Sequence, residues 1–139
     1  MIILDTNIIS EMMRPFPNTR VISWLDQQGV TQLFITAITI AEISYGINML
    51  PKGKRRSFLE NAFNKVLKEA FMHRTLLFDD PAAHFYGKIM SERKKSGRPM
   101  SISDGQIAAI ARVHEGAIAT RNMHDFENCG LRLLNPFDN

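Results

Sequence analysis

Short apolar runs alternate with longer amphipathic stretches from the first residue almost to the last, and few architectures accept that rhythm. "MIIL", "QLFIT", "RTLLF", "AIAT" and "LRLL" are brief apolar runs and read as strands. The stretches between them carry apolar residues at helical spacing. In "RRSFLENAFNKVLKEAF", for example, Phe58, Leu59, Ala62, Phe63, Val66 and Leu67 form one stripe. Strands alternating with helices over 139 residues predict an α/β fold, a mostly parallel central sheet of about five strands flanked by helices. No internal repeat, low-complexity tract or Ser/Gly linker divides the chain, so residues 1–139 read as a single domain.

Local signals punctuate this plan. Arg14-Pro15 halts a short first helix, Asn18 caps "TRVISWLDQQ", and Gly29 closes it. "ITIAEISYGINML" runs as a helix to Pro51. Asp80 before Pro81 reads as the cap of the next long helix, which stops at Gly97. Ser101 or Ser103 caps "DGQIAAIARVHE", which Gly116 ends, and "NMHDF" makes about one helical turn.

Composition excludes several classes of protein. Hydrophobic residues are 45% of the chain and charged residues 22%, which argues against disorder. Cys129 is the only cysteine, so an intrachain disulfide is impossible and a Cys-based zinc site lacks its partners. No apolar run approaches the roughly 20 residues needed to cross a bilayer, and no basic stretch leads an apolar one. These features predict a cytoplasmic protein without a membrane partner. His73, His84, His114 and His124 show no paired metal spacing, and no Ser, Cys and His grouping supports a nucleophilic triad.

The net charge is +3. Its distribution is more informative: Lys52, Lys54, Arg55 and Arg56 form one cluster, and Arg93, Lys94, Lys95 and Arg98 a second. Each cluster alone reads as a solvated helix end, whereas the pair suggests phosphate binding.

In a parallel sheet the ligand crevice lies beyond the carboxyl ends of the strands. Asp5, Thr6 and Asn7 follow the first strand, Glu42 lies on the helix after the second, and Thr120 and Asn122 end and follow the fourth. Asp104 occupies the first turn of a helix whose Ile107, Ala108, Ile110 and Ala111 must face the sheet. Asp104 can serve its helix dipole, and Asp5 can serve a turn. Glu42, between Ala41 and Ile43 in the most apolar helix, wants a cation, and "FITAITIAEISYGINML" contains no lysine or arginine. Carboxylates gathered in one crevice repel unless positive charge is present, and magnesium suits oxygen ligands of this kind.

"LDTN", "AEI" about Glu42, "SDGQIAAIA" about Asp104 and "ATRNMHDF" resemble, in order and spacing, the PIN-domain nucleases. The opening "DTNIISEMMRP" is most similar to their VapC and FitB group of toxin-antitoxin ribonucleases. The resemblance implies a metal-dependent endoribonuclease in which Asp5, Glu42 and Asp104 bind Mg²⁺ or Mn²⁺. Many PIN domains have an acid where this chain has Asn122, and others have asparagine there with an acid further on, which here is Asp125. Asn122 then holds a metal-bound water or a phosphate, and Asp125 either joins the catalytic acids or caps the turn. Thr6 and Thr120 match hydroxyl positions that orient the acids. The two basic clusters become candidates for tracking the RNA backbone. The resemblance further implies a homodimer and a cognate antitoxin that covers the active-site groove, joins a higher assembly and alone contacts DNA. Two other readings stand beside this one. The departure at Asn122 favours a PIN-like module that binds RNA or protein without turnover. A phosphatase with Asp5 as nucleophile would want an acid where Asn7 stands.

Overall fold

The computed structural model describes residues 1–138. The chain enters its sheet at the centre with β1 (Ile2–Leu4) and passes through α1 (Thr6–Met12) and α2 (Thr19–Gln27) to β2 (Leu33–Thr36). Next come α3 (Ala37–Met49), α4 (Lys54–Ala70) and the two-residue β3 (Thr75–Leu76). The long α5 (Asp80–Lys95) and α6 (Ile102–Val113) precede β4 (Ala117–Ala119), a 3₁₀ turn (Met123–Phe126) and β5 (Leu133–Leu134). The strand order is β3-β2-β1-β4-β5, and every pairing is parallel. The expected mostly parallel sheet of five strands is therefore wholly parallel. The chain fills one side of β1 first and then crosses to the other. That reversal makes the gap between the carboxyl ends of β1 and β4 the topological switch point, where such sheets bind ligands.

Alternation along each strand divides the core in two. Ile2 and Leu4 join Ile8, Ile9, Val21, Leu25, Ile43, Ile47 and Phe63 under α1 to α4. Ile3 and Ile118 face the other way, onto Ile89, Ile107, Ala108 and Ile110 of α5 and α6. With both faces covered, strand residues are apolar in sequence without a break, and each fully buried isoleucine contributes roughly 1.5–3 kcal/mol.

Several helix ends follow the sequence signals and others are displaced. Asn18 Oδ1 accepts from the N–H groups of Arg20 and Val21, and Thr36 and Ser101 cap α3 and α6 in the same manner. The cap of α5 is Asp79 rather than Asp80. Its carboxylate accepts from Ala82 N–H (3.1 Å), since Pro81, one residue earlier in the first turn, has no N–H to offer. Gly29 does not close α2. It has an extended backbone and precedes the 3₁₀ turn Val30–Gln32. At the end of α6 the left-handed residue is Glu115 (φ 53°), and Gly116 N–H returns to Ala111 C=O (3.0 Å). Gly116 is small for a different reason: a Cβ there would press on Ile3 Cδ1 at 3.1 Å.

A second close approach governs α6. A Cβ on Gly105 would fall against Met90 Sδ and stand 3.1 Å from Tyr86 Cε2 of α5. Gly105→Val is expected to destabilise the protein by about 2–3 kcal/mol through overpacking. Gly87→Ala, on α5 where a new Cβ meets nothing within 4 Å, should stabilise it by about 0.5–1 kcal/mol. Urea denaturation of the two variants beside the parent checks both signs.

Candidate active site

Asp5 is the residue at which β1 ends and α1 begins. Its N–H makes the last rung to β4, donating to Ala119 C=O (2.9 Å). Its Oδ1 accepts from Thr6 N–H (2.8 Å), the ordinary N-cap bond. Its Oδ2 accepts from Thr120 Oγ1 (2.9 Å) and Asn7 Nδ2 (3.3 Å). Only 6% of the residue is exposed. Burial pushes its carboxyl up to about 6, with the charges of Asp104 and Glu42 adding to the rise and the bonds from Thr120 and Thr6 opposing it.

Glu42 does not sit among apolar side chains as its neighbours in sequence suggest. The buried stripe of α3 is Thr39, Ile43 and Ile47, and Glu42 is on the exposed face. Two hydroxyls hold it there: Thr6 Oγ1 donates to Oε1 (2.8 Å) and Ser103 Oγ to Oε2 (3.3 Å). Thr6 Oγ1 also lies 3.1 Å from Thr39 Oγ1, so a buried threonine on α3 backs the contact. Asp104, half-buried in the first turn of α6, has its N–H capped by Ser101 Oγ (3.2 Å). Burial raises its carboxyl above the usual carboxylate range. The charges of Asp125 and Glu42 add to that, against the Ser101 bond and the Arg93 guanidinium.

The fold thus brings Asp5, Glu42 and Asp104 into one electrostatic neighbourhood. Asp125, exposed on the 3₁₀ turn, joins it from the Asp104 side. Asn122 is exposed and gives its N–H to Thr120 Oγ1 (3.0 Å). Among the described residues, no lysine, arginine or histidine forms an ion pair with any of the four acids. Nor do three Asp, Glu, His or Cys side chains stand close enough to ring one ion. Two residues of this network escaped the sequence reading. From sequence Ser103 reads only as a cap, and Thr39 carries no local signal because its role depends on the packing of α1 against α3.

The basic candidates divide sharply. Lys52, Lys54 and Arg55 are exposed at the start of α4, and Lys94 and Lys95 at the end of α5. Arg56 is tied to Glu60, Asn48 and Leu50 C=O, and Arg98 to Glu127 (2.8 Å). Arg93 cannot follow an RNA backbone. It is 5% exposed, and its guanidinium donates to the carbonyls of Arg98 (2.6 Å), Asp125 (3.2 Å) and Glu127 (2.8 Å). Helix α5 turns it inward, between the loop before α6 and the 3₁₀ segment, whose carbonyls accept from it. Glu11, a buried acid without a place in the sequence reading, likewise serves the fold by accepting from Asn18 N–H (2.8 Å) and Arg14.

Two outcomes follow from these placements. Arg93→Ala removes a donor from three carbonyls and should cost roughly 2–4 kcal/mol in urea denaturation, whereas Lys94→Ala and Lys95→Ala should stay within about 0.5 kcal/mol of the parent. The Asp5 carboxyl titrates near 6 in the fold against 3.8 as a free group, so its contribution to stability is complete below about pH 4 and is lost as pH rises through 6. Between pH 4 and pH 8, with divalent cations chelated, the stability difference should therefore move in favour of Asp5→Asn by roughly 3 kcal/mol. A difference that is flat with pH would contradict the assignment.

Comparison with known proteins places this geometry. The PIN domain family model matches residues 2–129. A VapC ribonuclease of Sinorhizobium fredii is 39% identical over 138 residues, 99% of each chain. Toxin FitB of Neisseria gonorrhoeae is 39% identical over 137 residues, again 99% of each. The crystal structure of FitAcB from the same organism superposes with a TM-score of 0.87 at 38% identity, covering 100% of both chains. A structure of FitAB bound to a DNA fragment gives 0.91 at 38% identity, covering 100% of this chain and 97% of that one. With its acids gathered at the switch point of a five-stranded parallel sheet and relatives matched end to end, this chain belongs to the PIN domain family.

Proposed function

We propose that this chain is an endoribonuclease toxin that hydrolyses RNA phosphodiester bonds with Mg²⁺ or Mn²⁺ and is neutralised by a cognate antitoxin. The observation that carries the reading is the cluster of Asp5, Glu42 and Asp104 at the switch point, with no protein cation paired to it among the described residues. Relatives at 39% and 30% identity named as VapC ribonucleases support the ribonuclease chemistry.

The donor set fits a hard divalent ion, since all its members are oxygen and the buried Asp5 is costly to ionise without a counter-charge. Asp5, Asp104 and Glu42 would hold such an ion in part through water, because no three acids among the described residues stand close enough to ring it directly. When bound, the ion supplies Lewis-acid polarisation of the phosphate and a water acidic enough to act as nucleophile near neutral pH. The chain's own residues do the rest. Thr120, Asn7 and Thr6 N–H lock the Asp5 carboxylate in one orientation. Thr6 and Ser103 fix both oxygens of Glu42 from two separate helices. Attack of water on phosphorus with departure of the ribose 3′ oxygen leaves 5′-phosphate and 3′-hydroxyl ends.

The partner surfaces are compatible with an assembly. Tyr45 and Met49 project from α3 with 69% and 67% exposure, and Ile102 lies exposed at the start of α6. An open groove of about 610 Å³ between the end of α1 and α4 is lined by Met13, Pro15, Phe58, Ala62 and Val66. We assign such surfaces to a homodimer and to the antitoxin, through which the complex would reach DNA. No helix among the described residues is long and apolar enough to cross a membrane, and a cytoplasmic location, where cellular RNA is met, is part of this proposal.

A second reading, a PIN module that binds without turnover, draws on the absence of three acids close around one point among the described residues. Cleavage of end-labelled total RNA separates the two. The parent should make discrete cuts with Mg²⁺ or Mn²⁺ and none with chelator, leaving 5′-phosphate ends. Asp5→Asn and Asp104→Asn should fall by about 100-fold or more. Addition of Mg²⁺ should raise the melting temperature of the parent and leave that of Asp104→Asn unmoved. RNA binding without any cut would establish the second reading instead.

A further inference from the structure

Arg121 stands between Thr120, which bonds to Asp5, and Asn122. Its N–H donates to Asn7 Oδ1 (3.2 Å), and Asn7 Nδ2 in turn donates to Asp5 Oδ2 (3.3 Å). On its other side the Arg121 carbonyl accepts from Asn135 Nδ2 (3.4 Å). The main chain of Arg121 is thus fixed to the acid cluster by one asparagine and to the C-terminal segment by another.

The side chain is exposed and equally constrained. Its Cζ lies 3.8 Å from the centroid of the Phe137 ring. Phe137 is itself set in place: its N–H donates to Asn135 Oδ1 (3.0 Å), and its half-buried ring packs on the core beneath α1 to α4. A cation over a ring face keeps its N–H donors free to bond to other groups. Among the described residues the Arg121 guanidinium makes no ion pair, whereas Arg14, Arg56 and Arg98 each neutralise a carboxylate.

We propose that Arg121, held over the Phe137 ring, grips a phosphate of the RNA backbone adjacent to the one cut, and so positions the substrate over the acids. The inference rests on the ribonuclease reading above and adds a residue to it. A polyanion approaching Asp5, Glu42, Asp104 and Asp125 meets repulsion, and Arg93, the other arginine close behind them, is buried and occupied. Arg121 supplies positive charge from the backbone of the site itself. Its planar fork matches two phosphate oxygens, and the stack removes rotamer freedom before binding. Lysine has the charge but neither the fork nor the face.

Arg121→Ala, Arg121→Lys and Phe137→Leu test this with a labelled single-stranded RNA in Mg²⁺, reading KM, kcat, salt dependence and melting temperature. Arg121→Ala should raise KM about tenfold with little change in kcat, and should lower the slope of log affinity against log salt by about one. Arg121→Lys should restore the salt slope but only part of the KM. Phe137→Leu should raise KM severalfold in the parent and have no further effect in Arg121→Ala. An Arg121→Ala enzyme with parental KM and salt slope would overturn the proposal. The stack would then tether the C-terminal segment, if melting temperature falls, or serve a protein partner's carboxylate, if it does not. A parent that neither cuts nor binds RNA overturns the ribonuclease reading together with this one, whereas a cutting parent matched by Arg121→Ala overturns this one alone.

Discussion

The hydrogen bond from Thr120 Oγ1 to Asp5 Oδ2, 2.9 Å long and buried, joins the carboxyl ends of the two strands between which the sheet changes direction. The rest of the site is arranged around it. Parallel strands present their carboxyl ends along one edge, so the residue that ends each strand and the first turn of each following helix are collected there. Asp5, Thr36 and Thr120 are three such ends, and all three are buried. Each is satisfied by its neighbours, as polar groups so placed must be, since an unpaired one costs about 1–3 kcal/mol. Thr36 caps α3 and lies behind Thr39, which backs Thr6, which holds Glu42. A chain of hydroxyls therefore carries the order of the core outward to the most exposed acid.

Charge is distributed by the same logic. The acids face one another across the crevice without a protein cation, and burial holds Asp5 and Asp104 above the ordinary carboxylate range. The arginines nearby mostly build the scaffold. Arg93 gathers the carbonyls of the loop before α6 and of the 3₁₀ turn, so one guanidinium sets the approach of both Asp104 and Asp125. Arg112 donates to Cys129 C=O (2.8 Å) and stacks on Phe85, and Arg98 closes the same region at the surface through Glu127. Lysines, more strongly hydrated, remain outside.

How far the sequence could be read depended on whether the relevant physics was local. Strand and helix order, the Asn18 cap and the Gly97 stop followed from residues a few positions apart, as did the apolar stripes. Errors arose where packing chose among nearby alternatives. The α5 cap fell to Asp79, whose carboxylate bonds Ala82 N–H, and contact with Ile3 assigned Gly116 a steric role while Glu115 took the left-handed turn. Glu42 looked buried because its neighbours in sequence are apolar, yet α3 buries only one stripe. Arg93 looked like its exposed neighbours Lys94 and Lys95, and only the direction in which α5 presents it shows that it is interior.

By itself the sequence determined the fold class, because alternation of short apolar runs with helical stripes leaves a parallel sheet covered on both faces as the economical way to bury them. It also determined which acids lie at strand and helix ends, since those ends are marked by the residues that stop or cap the elements. Tertiary structure alone decided that Thr6 and Ser103 share Glu42, that Arg93 faces inward and that Arg121 lies on Phe137. Thr6 and Glu42 are 36 positions apart, Ser103 and Glu42 61, and Arg93 and Glu127 34. Such pairings leave no periodic trace in the chain, because they depend on the direction in which whole helices deliver their side chains.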